Sequence, residues 1–518
     1  MSNKKDLILA LDCGTQSLRA IVFDSAGQLI AKSQVPLEYQ ATAPGWGEQD
    51  PEVFFDVLIK ASQQLFANHS DLKSRIAGIT LTTQRGTVIN LDENNKPLRP
   101  AILWFDKRRC FNYEPITGFW AFAFKLIGMT EAIRYFQSMA ESTWIERNQP
   151  DIWKKTKKYV LLSGYLGFRL TGNHTDSIAS QVGYIPFDYK NQKWAASSDW
   201  KWPATRLTPE KLPNLVKPGE LIGRISKEAA LATGIPEGLP LIASGADKAC
   251  EILGSGVSDE STGHLSFGTT ATVNVLSKKY HEAVRFIPPY PSAIPGQYSM
   301  EIQIFRGFWM VSWFKKQFGF EDEKEATKLG KSAEELLEDR IRDIPAGSDG
   351  LILQPFWSPG LKVPGPEARG AVIGFTDWHN RYHIYRAILE GLLYSLREGN
   401  ERIQQSTGKK IKRLVAAGGG SQSDVVMQMT ADIFGMPVER PAVYEASGLG
   451  AAMIAATTLG MHPDISTAVK KMSGTPTKFE PNAKTHKLYT RLYRNIYLKM
   501  YDRLSDLYRE IEQTINLT

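Results

Sequence analysis

Short apolar runs alternate with longer amphipathic stretches through the first part of the chain, which predicts strands and helices in turn. Strands are predicted over residues 7–11, 20–23, 76–82, 87–91 and 102–104. A helix is predicted over residues 51–66, because Asp50 can cap it and Pro51 suits its first turn. Residues 111–166 are predicted to be mainly helical. Residues 181–218, rich in Pro, Trp, Lys and Asp, are predicted to be irregular.

A second block of the chain repeats this pattern. It contains a predicted strand over 241–243, a strand–turn–strand over 264–275, and helices over 382–405, 424–434, 450–459 and 484–512. The Gly-Thr turn of FGTTAT in this block resembles that of DCGTQS in the first, and their glycines lie 254 positions apart. Gly-Thr hairpins are common, so two in one chain can arise by chance. An internal duplication would instead place two related domains around one ligand.

The most apolar later stretch, residues 116–129, is interrupted by Lys125 and is too short to span a membrane. Its middle carries four aromatic residues: Phe119, Trp120, Phe122 and Phe124. We expect this segment to form a buried helix or a cap over a cleft.

Length and composition predict a soluble protein with more than one hydrophobic core. A chain of 518 residues is too long for one core, so two large domains are expected. Apolar residues make up 42% and charged residues 23%, which is typical of globular proteins. The net charge of +7 is modest, and no basic patch is interleaved with stacking aromatic residues. Nucleic-acid binding is therefore not expected, whereas an anionic small ligand suits this charge.

The cysteine pattern predicts a reducing compartment. Cys13, Cys110 and Cys250 are far apart and odd in number, so neither a disulfide framework nor a zinc site is indicated. His379 and His383 have helical spacing but no third ligand, which favours a helix start over a metal site. The first residues are too short an apolar run for a signal peptide, so we expect a cytoplasmic protein.

The first Gly-Thr hairpin carries groups that can hold a phosphate. Gly14 allows a tight turn and a close approach of the backbone to a ligand. Backbone N–H groups and neighbouring polar side chains can donate to phosphate oxygens; the side chains are Thr15, Gln16, Ser17 and Arg19. Asp12 ends a buried strand, where its carboxylate can hold Mg²⁺ or simply cap the turn.

Two later glycine turns offer related chemistry. Gly268, Thr269 and Thr270 provide similar donors without a carboxylate, and the chain has no P-loop motif. The glycines at 418–420 follow an apolar strand and precede a helix near Ser423, so a flat ring could lie on their backbone. Such turns are also common without any ligand.

Two strand ends are candidates for acceptor chemistry. Asp247 follows a buried strand and precedes the second hairpin, which suits the general base of a phosphoryl transfer. It could equally cap the next helix. Gln84 and Arg85 end another strand, where the arginine could bind a hydroxyl or form a structural ion pair.

Together these motifs resemble the FGGY carbohydrate kinases, which belong to the actin/Hsp70/hexokinase superfamily. The resemblance covers nearly the whole chain and rests on these segments: DCGTQSLRAIVFD, PGWGEQDP, RPAILWFDKRR, GADKACEILGSG, GTTAT, GAVIGFTDWHNRYHIYRAILEG, GGGSQSDVVMQMTADIFGMPVERP and EASGLGAAMIA. It implies an α/β fold of two ribonuclease-H-like domains around a central cleft, here over residues 6–247 and 248–518. It also implies ATP and Mg²⁺ as cofactors.

The resemblance assigns roles residue by residue. Asp247 would be the general base and Asp12 would organise Mg²⁺. The nucleotide would contact Thr15, Gln16, Ser17, Arg19, Gly268, Thr269, Thr270, Gly307, Gly419, Gly420 and Ser423. The acceptor would lie near Gln84, Arg85, Trp104, Asp106 and Asp247. A homodimer is a further expectation, since dimers are common in the family.

The acceptor itself stays open because the family pattern breaks near these residues. Glycerol kinases usually have Gln-Arg-Glu where this chain has Gln84-Arg85-Gly86, and xylulokinases usually have Met-His-Gly. Further departures are Ser163-Gly164 and Lys362-Val363-Pro364. We therefore predict phosphorylation of a hydroxyl on a small sugar or polyol, either a xylulose-like ketose or a glycerol-like polyol. The alternative is a catalytically inactive, nucleotide-gated sensor or scaffold.

Overall fold

The computed structural model describes residues 5–39, 43, 45–358 and 364–516, so Pro44, Lys362 and Val363 lie outside it. The strands of the first half are β1 (Leu7–Cys13), β2 (Ser17–Asp24), β3 (Leu29–Pro36), β4 (Glu48–Gln49), β5 (Ile76–Thr83), β6 (Val88–Leu91), β7 (Ala101–Ile102), β8 (Lys158–Leu161), β9 (Thr175–Ser177), β10 (Phe187–Asp188), β11 (Lys193–Trp194), β12 (Asn214–Val216), β13 (Leu221–Arg224) and β14 (Pro240–Ala243). Its helices are α1 (Pro51–Asn68), α2 (Gly118–Leu126), α3 (Thr130–Met139), α4 (Glu141–Asn148), α5 (Pro150–Lys155), α6 (Leu162–Thr171), α7 (Lys201–Thr205), α8 (Lys227–Thr233) and α9 (Asp247–Gly254).

The second half continues the same mixture of strands and helices. Its strands are β15 (Thr262–Phe267), β16 (Ala271–Ser277), β17 (Tyr290–Pro291), β18 (Tyr298–Ile304), β19 (Ile352–Gln354), β20 (Ala371–Ile373), β21 (Arg413–Ala417), β22 (Val438–Arg440) and β23 (Thr477–Phe479). Its helices are α10 (Trp309–Phe318), α11 (Phe320–Leu329), α12 (Ala333–Ile341), α13 (Arg381–Thr407), α14 (Asp424–Phe434), α15 (Ala446–Thr458), α16 (Ile465–Met472), α17 (Ala483–Leu492) and α18 (Leu498–Asn516).

Both halves are built around the same arrangement of strands. The first sheet has the order β13-β14-β5-β1-β2-β3, with β1, β2 and β3 antiparallel and β5 and β14 parallel to β1. The second has the order β17-β18-β16-β15-β21-β22-β23, with β15, β16 and β18 antiparallel and β21 and β22 parallel to β15. The two Gly-Thr turns therefore occupy equivalent places in two copies of one α/β fold.

The first sheet is covered on both faces, as its nearly continuous apolar strands require. Along β1, Leu7, Leu9 and Leu11 face a core that contains side chains of α1 and α6. The alternate residues Ile8 and Ala10 face a second core that contains side chains of α9 and α15. A helix from late in the chain thus completes the packing of the first sheet.

Most of the predicted elements are confirmed, and their caps follow ordinary rules. Asp50 caps α1, where its carboxylate accepts a hydrogen bond from the Glu52 amide. The predicted strand over 102–104 is only partly confirmed, because β7 ends at Ile102. The long final helix is interrupted by a π-helical turn, Tyr493–Tyr497.

Of the two predictions for residues 116–129, a buried helix is wrong for two side chains of α2, whereas a cap over a cleft stays a prediction. Phe119 is 75% exposed and Phe122 is 68% exposed, because both lie on the solvent side of α2. Phe124 is buried and packs edge-on against Trp200. The number of aromatic residues does not determine burial, because a face of a helix is buried only where another element packs against it.

The structure also agrees with two expectations about isolated residues. Cys13, Cys110 and Cys250 are buried free thiols. His383 lies in the first turn of α13 and forms a capping box with Asn380, as a helix-start residue should. Among the described helices, none combines the length and apolar character needed to cross a membrane.

Candidate active site

Three parallel strands bring the candidate catalytic residues to one edge of the first sheet. Asp12 is the last residue but one of β1, Gln84 and Arg85 follow β5, and Asp247 follows β14. The register pairs Asp12 with Thr82 and Ala243 with Leu81, so the three strands end together. Ligands of open α/β sheets bind at this carboxyl edge.

The first hairpin connects the predicted phosphate residues to the predicted acceptor residues. The turn is closed by the Gly14 amide, which donates to the Ser17 carbonyl over 3.1 Å. The Thr15 hydroxyl donates to Gln84 Oε1 over 3.0 Å and accepts from Trp104 Nε1 over 2.9 Å. Thr15, Gln84 and Trp104 therefore form one hydrogen-bonded group.

The other two polar residues of this hairpin differ in exposure. Ser17 is buried, and its hydroxyl accepts a hydrogen bond from Gln34. Gln16 is exposed at the tip of the turn. Of the two side chains, only Gln16 is openly available to a ligand in this arrangement.

Asp12 is a buried carboxylate held by Arg19. Its Oδ2 lies 3.2 Å from Arg19 Nη1, and Arg19 Nε in turn lies 3.5 Å from Glu445 Oε2. Burial raises the pKa of Asp12 to about 7; Arg19 opposes this shift, while Asp247 and Glu445 add to it. Arg19 thus lies between the carboxylates of Asp12 and Glu445.

The donor chemistry at Asp12 fits Mg²⁺, which prefers oxygen ligands and usually retains water or phosphate oxygens. Within the described residues, no group of three or more His, Cys, Asp or Glu side chains could enclose a metal by itself. A single carboxylate that shares the ion with a nucleotide is compatible with both observations.

Asp247 is the first residue of α9 and is half-buried. Ala246 occupies the cap position, and Asp247 Oδ1 accepts a hydrogen bond from the Lys248 amide over 2.7 Å. Burial raises its pKa, while Lys248 and Arg85 lower it. The alternative of a helix-capping aspartate does not describe this geometry, because Asp247 lies inside the first turn.

The turn that contains Gly307 packs against the second hairpin and donates hydrogen bonds to it. The Phe308 amide donates to the Gly268 carbonyl over 3.0 Å, and the Trp309 amide donates to the Thr269 carbonyl over 3.4 Å. A Cβ on Gly307 would lie 2.2 Å from the Ala271 nitrogen, so only glycine permits this contact. Gly307 therefore packs directly against the hairpin at Ala271, and its predicted contact with the nucleotide stays a prediction.

The glycine turn after β21 is packed at Gly418 and Gly420 and open at Gly419. Gly418 has a φ of +93°, and a Cβ on Gly420 would lie 2.5 Å from the Phe308 ring. A Cβ on Gly419 would meet nothing within 4 Å, which leaves room for a planar group. Ser423 caps α14, where its hydroxyl accepts from the Val426 amide over 3.1 Å.

The predicted acceptor residues separate into two groups. Asp106 is occupied by two hydrogen bonds from the Arg108 guanidinium, at 2.9 and 2.8 Å, and by one from the Gly47 amide. Trp104 is 42% exposed and stays available. Arg85 Nη2 lies 2.6 Å from Glu301 Oε1, and its guanidinium lies over the Tyr290 ring. Arg108 and Gly47 thus hold Asp106 within the first half. Arg85 instead contacts residues of the second half.

Three residues near the site were not identified from the sequence. Lys248 is adjacent to Asp247, so its position alone could have drawn attention to it. Glu301 and Tyr290 lie in the second half, far along the chain from Arg85. No local pattern marks them, because their relevance depends on how the two halves pack.

Comparisons with known proteins identify similar domains and similar full-length relatives. Models of the FGGY family of carbohydrate kinases match residues 7–254 with its N-terminal domain and residues 263–459 with its C-terminal domain. A xylulose kinase of Lactococcus lactis subsp. lactis (strain IL1403) is 31% identical over 512 residues, which cover 97% of this chain and 98% of that protein.

Two solved structures from Lactobacillus acidophilus share the fold. A gluconate kinase superposes with a TM-score of 0.82 at 22% identity and covers 98% of this chain and 99% of its own. A ligand-bound xylulose kinase gives a TM-score of 0.82 at 22% identity with the same coverage, 98% and 99%. At this identity the likeness establishes the two-domain fold alone.

Proposed function

Because the chain belongs to the FGGY family of carbohydrate kinases, we propose that it transfers the γ-phosphoryl group of ATP to a hydroxyl of a small sugar or polyol. The chain is a carbohydrate kinase and binds ATP. The proposal concerns the acceptor, which we take to be a xylulose-like ketose or a glycerol-like polyol, and the residues that act on it.

One observation carries the assignment of residues: Asp12, Gln84 and Asp247 meet at one edge of the first sheet. In the proposed reaction, an acceptor hydroxyl attacks the γ-phosphorus in line, and Asp247 takes its proton. A new P–O bond forms as the bond to ADP breaks. The raised pKa of Asp247 brings its basicity closer to that needed at neutral pH.

The remaining residues would hold the nucleotide and exclude water. Backbone N–H groups of the two Gly-Thr hairpins would donate to phosphate oxygens. The open backbone at Gly419 supports a place for the adenine ring. Mg²⁺, held by Asp12 together with phosphate oxygens, would supply charge neutralisation.

Two further expectations stay predictions. The buried free thiols of Cys13, Cys110 and Cys250 support the expected cytoplasmic location, where thiols stay reduced. Homodimerisation is expected only because dimers are common in the family.

A panel of acceptors tests the proposed function. ADP release is measured with D-xylulose, glycerol, other pentuloses and polyols, and D-gluconate, and phosphorylated product is identified by mass spectrometry. We expect acceptor-dependent ADP release and a product heavier by one phosphoryl group. Retained ATP binding without phosphorylation of any acceptor would favour the nucleotide-gated sensor instead.

A further inference from the structure

An ion pair joins the two halves of the molecule beside Asp247. Arg85, after β5, places Nη2 2.6 Å from Oε1 of Glu301, which lies in β18. The two side chains are 19% and 5% exposed. The Tyr290 ring covers the guanidinium at 5.0 Å, so the pair is shielded from water on that side. A pair this buried is less screened than one on the surface.

The ion pair lines a small cavity that adjoins the predicted general base. Ala246 and Lys248, the two neighbours of Asp247, both line it. As it stands, the cavity has room for about one water molecule. A larger acceptor would enter while the two halves are apart and would be held as they close, when Glu301 again meets Arg85.

Two buried polar atoms in this cavity lack a partner. Asn274 Oδ1 and Ser299 Oγ have no hydrogen-bond partner among the described residues, and both side chains are at least nine-tenths buried. Buried polar groups are normally satisfied, so these atoms indicate a polar ligand or water. Hydroxyl groups can both donate and accept, which suits these two atoms.

Each cation around the cavity already has a carboxylate partner. Arg85 pairs with Glu301, and Lys248 Nζ lies 2.6 Å from Glu251 Oε2. With Asp247, the surroundings contain three carboxylates and two cations. A ligand carboxylate would therefore meet no unpaired positive charge here, and it would lie close to like charge, which is costly.

We propose that Glu301 is a specificity-determining residue that makes the acceptor site select neutral hydroxyl-bearing substrates over sugar acids. The proposal rests on the proposed function, since it names the acceptor class of that same site. Glu301 neutralises Arg85 and uses one of the five N–H donors of its guanidinium. The remaining donors can bind hydroxyls, whereas an unpaired arginine would bind a carboxylate through two parallel bonds.

Matched acceptors test this inference. Each pair joins a neutral compound to an acid of equal carbon number: D-xylulose with D-xylonate, D-fructose with D-gluconate, and glycerol with D-glycerate. The ratio of kcat/KM between the two members is measured for the wild type and for Glu301→Gln. We expect the wild type to prefer the neutral member, and Glu301→Gln to reduce that preference at least about tenfold.

Two further variants separate a specific effect from a loss of folding. Glu301→Asp keeps the charge and should keep the preference of the wild type. Glu52→Gln removes a carboxylate from another ion pair with the same 2.6 Å separation, that with Arg169, which lies within the first half. It should leave the ratio unchanged even if it lowers the melting temperature.

The possible outcomes are distinct. A wild type that prefers the acids, or an unchanged ratio in a folded Glu301→Gln variant, would overturn the role of Glu301 but leave the kinase function intact. If Glu301→Gln does not fold, a wild type that prefers the acids, or a loss of the preference in Glu301→Asp, would still overturn the role of Glu301. Absence of phosphoryl transfer to every acceptor would overturn both proposals.

Discussion

At the scale of single residues, the burial of Asp12 opposes its ionisation. Desolvation raises its pKa from an ordinary aspartate value to about 7, and the partial compensation comes from Arg19. At a pH between the ordinary pKa of aspartate and 7, Asp12 keeps its proton in the folded protein but has lost it in the unfolded chain. The stability of the folded state therefore falls as the pH rises toward 7, and the loss is complete above it.

Replacing this carboxylate by an amide should reverse that loss. We expect Asp12→Asn to melt at a higher temperature than the wild type without divalent cations, by a few degrees at about pH 8 and by less at about pH 5. Differential scanning calorimetry at both pH values measures the change. The same variant should lose phosphoryl transfer. A melting advantage that shrinks as the pH rises would contradict the account of Asp12.

At the scale of elements, the start of α9 is positioned by unusually close packing against α15. A Cβ on Gly450 would lie 1.9 Å from the Cys250 carbonyl, and a Cβ on Gly254 would lie 1.9 Å from the Ala446 carbonyl. Only glycine at these positions lets the two helices approach so closely. Because Asp247 begins α9, this packing sets the position of the proposed base.

Adding one methyl group at this contact should affect both stability and activity. We expect Gly450→Ala to lower the free energy of unfolding by about 1–3 kcal/mol, since overpacking forces helices apart. Turnover should fall at least about tenfold in the fraction that stays folded, because Asp247 is displaced. Denaturant unfolding and steady-state kinetics measure the two effects.

Gly167→Ala provides the matched control. A Cβ on Gly167, in α6, would meet its nearest atoms at 3.7 Å, which is ordinary contact distance. This variant should keep both stability and turnover. Equal losses in the two variants would show that the α9–α15 contact has no special role.

The helices and hairpins also show which structural features the sequence could predict and which it could not. Local patterns were enough for the two Gly-Thr hairpins and for α1, whose cap and first-turn proline are adjacent in sequence. The exposure of Phe119 and Phe122 could not be predicted, because the pattern does not reveal which helix face receives a neighbour. The π-helical turn before α18 likewise has no simple sequence signal.

At the scale of the whole molecule, long-range charge pairs connect the two halves. Glu445 meets Arg19 and Lys32 of the first sheet, and Glu301 meets Arg85. The candidate site could be predicted in part, since Asp12, Gln84 and Asp247 each follow a predicted strand. Glu445 and Glu301, which pair with Arg19 and Arg85, could not be predicted, because only the packing of the halves brings them near the site.

The central claim is that Asp247 is the general base of a phosphoryl transfer between these halves. Removing a general base typically costs about 10²–10⁴-fold in rate. Asp247→Asn should lower acceptor-dependent ADP formation by at least about hundredfold. ATP should still bind, because the two hairpins and the glycine turn are untouched.

The most direct test measures both quantities on one preparation of Asp247→Asn, with the acceptor that the wild type uses best. Isothermal titration gives the dissociation constant for ATP, and a coupled assay gives the rate of ADP formation. The exposed Asp71→Asn variant serves as the control and should match the wild type in both. The account predicts unchanged ATP affinity with turnover nearly abolished, whereas full turnover in Asp247→Asn would contradict it.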